Sequence, residues 1–148
     1  MRVVAQRVQR AAVRVGGETV SSIGRGLLLY AGFGREDGEP DLAWMADKIV
    51  TLRIFEDESA KMNRSVLDVG GQLLVVSQFT LYGDTRKGRR PSFDAAAPAD
   101  AALRLFEKFV DTLSPSGLII RVGRFRETMQ VESVNDGPVT ILLESPTA

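Results

Sequence analysis

QLLVVSQFTLY, Gln72 to Tyr82, is the stretch on which the fold turns. Four consecutive apolar residues, Leu73, Leu74, Val75 and Val76, follow the Gly70-Gly71 turn, and the segment is too short for a helix of its own. A strand that is apolar towards both faces is buried on both, so this one is expected at the centre of a sheet. Its exit is polar, with Ser77, Gln78 and Thr80. Hydroxyls and an amide at the end of a buried strand, followed by Arg86, Lys87, Arg89 and Arg90, mark where chemistry is expected.

Towards the N-terminus, Val3 to Val8 and Val13 to Val15 read as two strands of a first ribbon, GGE at 16–18 as a turn, and GLLLYAGFG at 26–34 as the next strand. From Pro40 the period changes: Leu42, Met45, Ile49 and Leu52 recur at helical spacing, and Trp44 and Met45 are expected in the core. LRIFED ends as a short strand. Beyond the central strand a second helix starts near Pro98, with Leu103, Phe106, Val110 and Leu113 as its apolar stripe and SPSG as its stop. LIIRVGRF, MQVESVN and VTILLES read as three short strands. Strands, helix, strands, helix, strands, without regular βαβ alternation, predict an α+β fold with a largely antiparallel or mixed sheet or barrel. No repeat or linker divides the chain, so residues 1–148 are expected to form a single domain.

Composition excludes several kinds of chemistry. The chain has no cysteine and no histidine, which removes disulfides, a thiolate nucleophile, the usual zinc ligands and the usual general base. No apolar run approaches the roughly 18–20 residues that cross a bilayer, and MRVVAQRVQR places arginines where a signal peptide needs apolar residues; a soluble, cytoplasmic protein with no membrane partner is expected. Lysine plus arginine balance aspartate plus glutamate at 19 each, so any contact with nucleic acid must come from local charge. Such charge exists: residues 1–26 carry a net +4 and residues 84–90 a net +3, each of which is also what an ordinary solvated face looks like.

Four features invite a functional reading, and each has a plain alternative. Ser77 or Thr80 as nucleophile needs a base that this sequence does not supply as histidine, whereas an oxyanion site needs only oriented backbone N–H groups around Gln78, Phe79 and Thr80; the alternative is hydroxyls that satisfy local backbone. NDGPVT, Asn135 to Thr140, is by itself a turn between the last two strands. Arg7 alternates with Val3 and Ala5 and so points to their apolar side, as a salt-bridged or snorkelling residue also does. Met129 reads as core filler unless it lines a site.

SQFTLY and NDGPVT, together with MRVVAQRV, GLLLYAGF, KIVTLRIFED, KMNRSVLDVGG and KGRRPSF, resemble the D-aminoacyl-tRNA deacylases (D-tyrosyl-tRNA deacylases) over essentially the whole chain. Arg89 stands where that family's KGNRPSF pattern has asparagine. The resemblance implies a homodimer of β-barrel-like subunits with two main helices packed outside, acting on the 3′ end of aminoacyl-tRNA without metal or cofactor. It implies that Gly137-Pro138, as a Gly-cis-Pro motif, enters the partner's active site, holds the substrate α-ammonium and excludes L side chains, with glycyl-tRNA as a leak. It also implies Ser77, Gln78, Phe79 and Thr80 as the catalytic segment, Arg7 as anchor of the incoming motif and Met129 as pocket lining. Arg86, Lys87, Arg89 and Arg90 are then expected to meet acceptor-stem phosphates. The competing expectation is an RNA- or DNA-binding module of the same fold without hydrolysis.

Overall fold

In the computed structural model, which describes residues 1–146, the Gln72–Ser77 strand is interior, as its composition predicts. The elements run β1 (Arg2–Val15), β2 (Glu18–Ile23), β3 (Gly26–Gly32), α1 (Glu39–Thr51), β4 (Phe55–Glu56), β5 (Met62–Arg64), β6 (Gln72–Ser77), a 3-10 turn at Phe79–Tyr82, α2 (Ala99–Leu113), a second 3-10 turn at Ser114–Ser116, β7 (Ile120–Val122) and β8 (Gln130–Glu144). The main sheet follows the order β2-β1-β3-β6-β7, with β8 paired to β1. β3–β6 and β6–β7 are parallel and the other pairs antiparallel, giving a mixed, nearly closed barrel-like sheet flanked by the two helices.

Two apolar clusters explain why β3 and β6 are apolar on both sides. Leu27, Leu29, Leu73 and Val75 pack towards the helices, and Leu28, Leu74 and Val76 pack with Val8, Val13 and Ile23 on the other face of the sheet. Helix α1 buries Leu42, Met45 and Ile49, the stripe read from the sequence; Leu52 lies one residue past its end. Helix α2 buries Ala102, Phe106, Phe109 and Leu113, so its inner face is centred on Phe109 where Leu103 and Val110 were expected to share it. Phe33, just beyond β3, meets Phe106 and Phe109 edge-on at 6.5 and 6.4 Å, a favoured aromatic geometry that ties α2 to the sheet. The Met1 ammonium donates to Ser145 Oγ at 2.7 Å and Ser145 N–H to Met1 O at 2.9 Å, fastening the start of β1 to the end of β8.

Three expected boundaries are corrected. The two N-terminal strands are one, β1, because β8 pairs along nearly its whole length while its other edge passes from β3 (residues 2–8) to β2 (residues 11–15). A bulge makes the transition: Val8 faces Asn135 and Arg10 faces Val134, leaving Gln9 as the extra residue. Val3 and Ala5 therefore face the helices, while Ala11 and Val13 face the second cluster. MQVESVN and VTILLES are likewise one strand, β8, and NDGPVT is a protrusion within it rather than a turn between strands. Finally, the central strand stops at Ser77, because β3 has run out of partners at Gly32 and the chain folds into the 3-10 turn.

Candidate active site

The segment after β6 is fixed at both ends. Gln78 N–H donates to Ala31 O at 2.8 Å, the last rung shared with β3. Leu81 N–H then donates to Gln78 O and Gly83 N–H to Thr80 O, which closes the turn. At its far end the Tyr82 phenol donates to Asp37 Oδ2 at 3.2 Å beneath the Arg2 guanidinium, and burial together with the Asp37 carboxylate pushes that phenol's pKa above its usual value. The turn sits against Gly32: a Cβ there would stand 2.8 Å from Gln78 O and 3.1 Å from Leu81 Cβ. Overpacking of this kind costs about 1–3 kcal/mol, so Gly32→Ala is expected to melt about 3–8 °C lower by calorimetry. An unchanged melting temperature would show that the turn is not seated on this glycine.

A cavity of about 550 Å³ opens beside the turn. Its lining comes from Ser77, Gln78 and Phe79 at the exit of β6, from Phe125, Arg126, Glu127 and Met129 between β7 and β8, and from Ala31, Phe33 and Val76. Ala97, Ala99 and Ala102, at and around the start of α2, leave the space open because they carry only methyl groups. Within the turn, Gln78 N–H is committed to Ala31, so the amides of Phe79 and Thr80, which precede its first internal bond, are the donors it offers. The Thr80 hydroxyl accepts a hydrogen bond from Gln78 Nε2 at 2.5 Å, and of Phe79 and Thr80 only Phe79 is among the cavity's lining residues.

Arg7, Gly137 and Pro138 form a second group, away from the lining of that cavity. The β1–β8 register jumps from Gln6–Thr140 to Val8–Asn135, so residues 136–139 bulge out opposite Arg7. Arg7 points inwards, as its alternation with Val3 and Ala5 requires, and is only 5% exposed. Its guanidinium donates from Nη1 to Ile54 O at 2.7 Å and from Nε to Asp136 O at 3.1 Å, and Nε lies 3.4 Å from Asp136 Oδ2. The Gly137-Pro138 bond is cis, Gly137 has φ +125°, and both residues are exposed.

Arg86, Lys87, Arg89 and Arg90 form the third group, on an exposed loop whose base is the Asp84–Ser92 bridge. Phe93, just past that base, meets the exposed Phe79 ring edge-on at 5.1 Å, which sets the loop beside the cavity mouth. Hydrogen bonds from the Arg86 guanidinium and amide hold the Asp84 carboxyl down at about 2. Among the described residues Lys87, Arg89 and Arg90 have no such ion pair, so the loop presents three free cations.

Sequence reasoning had not singled out Phe125, Arg126, Glu127 or the three lining alanines. The alanines had a signal in the run AAAPADAA at 95–102, whose small side chains leave space unfilled; GRFRE at 123–127 had none. Among the described residues no group of three or more acidic side chains is gathered so as to hold a metal ion, and no helix is long and apolar enough to cross a membrane.

The family described as D-Tyr-tRNA(Tyr) deacylase matches residues 4–144. A Chlorobaculum parvum protein named D-aminoacyl-tRNA deacylase is 58% identical over 147 residues, covering 99% of each chain, and a Thermotoga petrophila protein of that name is 57% identical over 145 residues, covering 98% of this chain and 97% of its own. Among solved structures, one titled c-Myc DNA Unwinding Element Binding Protein superposes with TM-score 0.93 at 46% identity, covering 99% of both chains. Another, titled as a probable eukaryotic D-amino acid tRNA deacylase, superposes with TM-score 0.82 at 19% identity over 96% of this chain and 97% of its own, a likeness of fold.

Proposed function

The chain belongs to the D-Tyr-tRNA(Tyr) deacylase family, and on that premise we propose that it hydrolyses the ester of D-aminoacyl-tRNA to free D-amino acid and tRNA, in the cytoplasm, as a single domain over residues 1–148. The observation that carries the proposal is the cavity in which Ser77, Gln78, Phe79 and Met129 meet at the exit of β6. It has the size and lining for a nucleoside: apolar surface from Phe79, Phe125 and Met129, and polar atoms from Ser77 and Gln78.

The ester carbonyl lies against the turn, and the amide of Phe79, which lines the cavity, takes up the charge that develops on its oxygen, with the Thr80 amide next to it in the turn. Water adds to the carbonyl carbon, the bond to the ribose oxygen breaks, and that oxygen leaves with a proton. An aminoacyl ester is already activated, so fixed position and oxyanion stabilisation supply the acceleration, with the free ribose hydroxyl orienting the water. Thr80 as nucleophile is disfavoured because its hydroxyl receives a proton donor, Gln78 Nε2, and no base.

Selection against L esters is assigned to Gly137 and Pro138. Their exposed position on a bulge outside their own chain's cavity suits a segment that completes the cavity of a second copy, so the enzyme is a homodimer with two composite sites. Carbonyl oxygens of this segment hold the α-ammonium; an L side chain is then driven into the segment, and a D side chain points away. Exclusion rather than recognition leaves the D side chain unspecified. Glycine has no side chain to exclude, so glycyl-tRNA is also cleaved. Arg7 holds the bulge, and the loop of Arg86, Lys87, Arg89 and Arg90 meets tRNA phosphates.

The deciding experiment is a paired assay with D-tyrosyl-tRNA and L-tyrosyl-tRNA, chelator present, and glycyl-tRNA as a third substrate. Rapid loss of the D-tyrosyl ester with the L-tyrosyl ester intact, and slower loss of the glycyl ester, supports the proposal. A second reading, a nucleic-acid-binding module without hydrolysis, draws on the 46% identity to the c-Myc DNA Unwinding Element Binding Protein; stable D esters on a tRNA that still binds would establish it. Thr80→Ala separates the two mechanisms. Loss of the Gln78–Thr80 hydrogen bond is worth about 1 kcal/mol, so activity stays within about tenfold of the parent, whereas losing a nucleophile lowers kcat by roughly 10⁴-fold or more.

A further inference from the structure

Arg126 is one of two non-glycine residues with positive φ among the described residues, at +65°. It sits at the third position of the tight turn Arg124–Glu127, closed by Glu127 N–H to Arg124 O at 3.4 Å. A turn that requires positive φ at this position ordinarily takes glycine there. Nothing in the backbone favours arginine, so its side chain is where a reason must be sought.

The surroundings supply one. Phe125, the residue before it, packs against Phe106 with ring centroids 6.0 Å apart, which anchors the turn to α2. Arg126 and Glu127 line the same cavity as Ser77 and Gln78, and they are the two ionisable residues in its lining. Glu127 is engaged by Arg124 Nε at 3.7 Å. Arg126 has no hydrogen bond or ion pair among the described residues, so the lining carries one exposed, uncompensated cation.

The occupant of this cavity under the deacylase reading, on which this inference rests, is a nucleoside ester. Its nearest anion is the phosphodiester on the 5′ carbon of that same nucleoside. We infer that Arg126 binds this phosphodiester and thereby sets the depth at which the terminal nucleoside, and the ester it carries, lie along the Ser77–Phe79 segment. Arginine suits the role because its planar fork gives two parallel N–H donors to two phosphate oxygens. The role is separate from that of the Arg86–Arg90 loop, whose base adjoins the Phe79–Phe93 pair and which faces phosphates farther from the ester.

Two minimal substrates test it: the D-tyrosyl ester of adenosine and the D-tyrosyl ester of adenosine 5′-monophosphate, which differ by one phosphate. The parent enzyme is expected to prefer the phosphorylated ester about tenfold in kcat/KM, through KM, as one charge-assisted contact implies. In Arg126→Gly, which suits the turn's φ, and in Arg126→Gln the ratio falls to about one, and Arg126→Lys restores part of it. On D-tyrosyl-tRNA, the dependence of log(kcat/KM) on log[salt] becomes shallower by about one in Arg126→Gly. A parent enzyme that cleaves D-tyrosyl-tRNA but does not distinguish the two esters, or an Arg126→Gly variant that keeps the preference, overturns the role of Arg126 alone. A parent enzyme that leaves D-tyrosyl-tRNA and both esters intact overturns the deacylase reading and this inference with it.

Discussion

Gly137→Ala is expected to narrow the gap between D- and L-tyrosyl-tRNA cleavage by roughly 10- to 100-fold. Gly137 has φ +125°, where an L residue is strained by about 1–3 kcal/mol, and an added Cβ would stand 3.0 Å from Val139 N and 3.1 Å from Arg7 Nη2. The bulge relieves both by moving, and the carbonyl oxygens assigned to the α-ammonium move with it. Every 1.4 kcal/mol of misplaced contact is a factor of ten in rate, which sets the size of the effect. The measurement is the ratio of kcat/KM for the two tyrosyl esters. Mixed subunits add a control that a merely unfolded variant does not pass: Gly137→Ala chains combined with chains whose cavity is blocked by Ala102→Trp form hybrids with one intact composite site. Selective activity is expected to return on mixing. An unchanged D-to-L ratio in Gly137→Ala would remove this segment from chiral selection, and no recovery on mixing would remove it from the partner's site.

How far this was readable beforehand depends on what each residue had to signal. The apolar run of β6 and the α1 stripe are burial patterns, and they located the central strand and α1, although the strand ends at Ser77 and the inner face of α2 is centred on Phe109. The inward direction of Arg7 followed from alternation alone. The continuity of β1 and β8 was hidden for one physical reason: a strand that bulges carries turn residues in its middle. Asn135, Asp136, Gly137 and Pro138 are the composition of a loop, yet β8 resumes beyond them because β1 supplies partners on both sides of the protrusion. Only the partner strand shows that.

The candidate site divides in the same way. SQFT and NDGPVT stood out because each is contiguous in sequence, while Phe125, Arg126 and Glu127 come from a turn 46 or more residues after Phe79 with no contiguous signature. The lining alanines matter for volume they do not fill, and absent atoms leave only a weak mark on a sequence. Arg126 left none: a positive φ at arginine is a property of the folded backbone, visible only once Glu127 N–H is seen to close on Arg124 O. The hydrogen bond from Gln78 N–H to Ala31 O is similar, since it depends on where β3 ends and takes the Gln78 amide out of the proposed set of oxyanion donors.

Arg7→Met is expected to be the most destabilising of these substitutions, by about 2–4 kcal/mol. Methionine keeps much of the volume but none of the donors, and the residue it replaces is 5% exposed. Ile54 O and Asp136 O then lose their donors at 2.7 and 3.1 Å, and each unsatisfied buried acceptor costs roughly 1–3 kcal/mol. Asp136 is itself partly exposed, so water recovers part of the second loss, which puts the expected total below the sum of two full penalties. Urea unfolding should therefore show a lower midpoint at unchanged slope, a change in stability rather than in the surface exposed. Arg7→Lys separates anchoring from folding. A single ammonium can reach one of the two carbonyls but lacks the fork that spans both, so most of the stability returns while the bulge loses one of its ties. If Arg7 anchors the Gly137-Pro138 segment, Arg7→Lys lowers the D-to-L ratio of tyrosyl-tRNA cleavage by more than its unfolding free energy accounts for. A variant that recovers stability and chiral ratio together would reduce Arg7 to a strut between β1 and the strand that begins at Phe55.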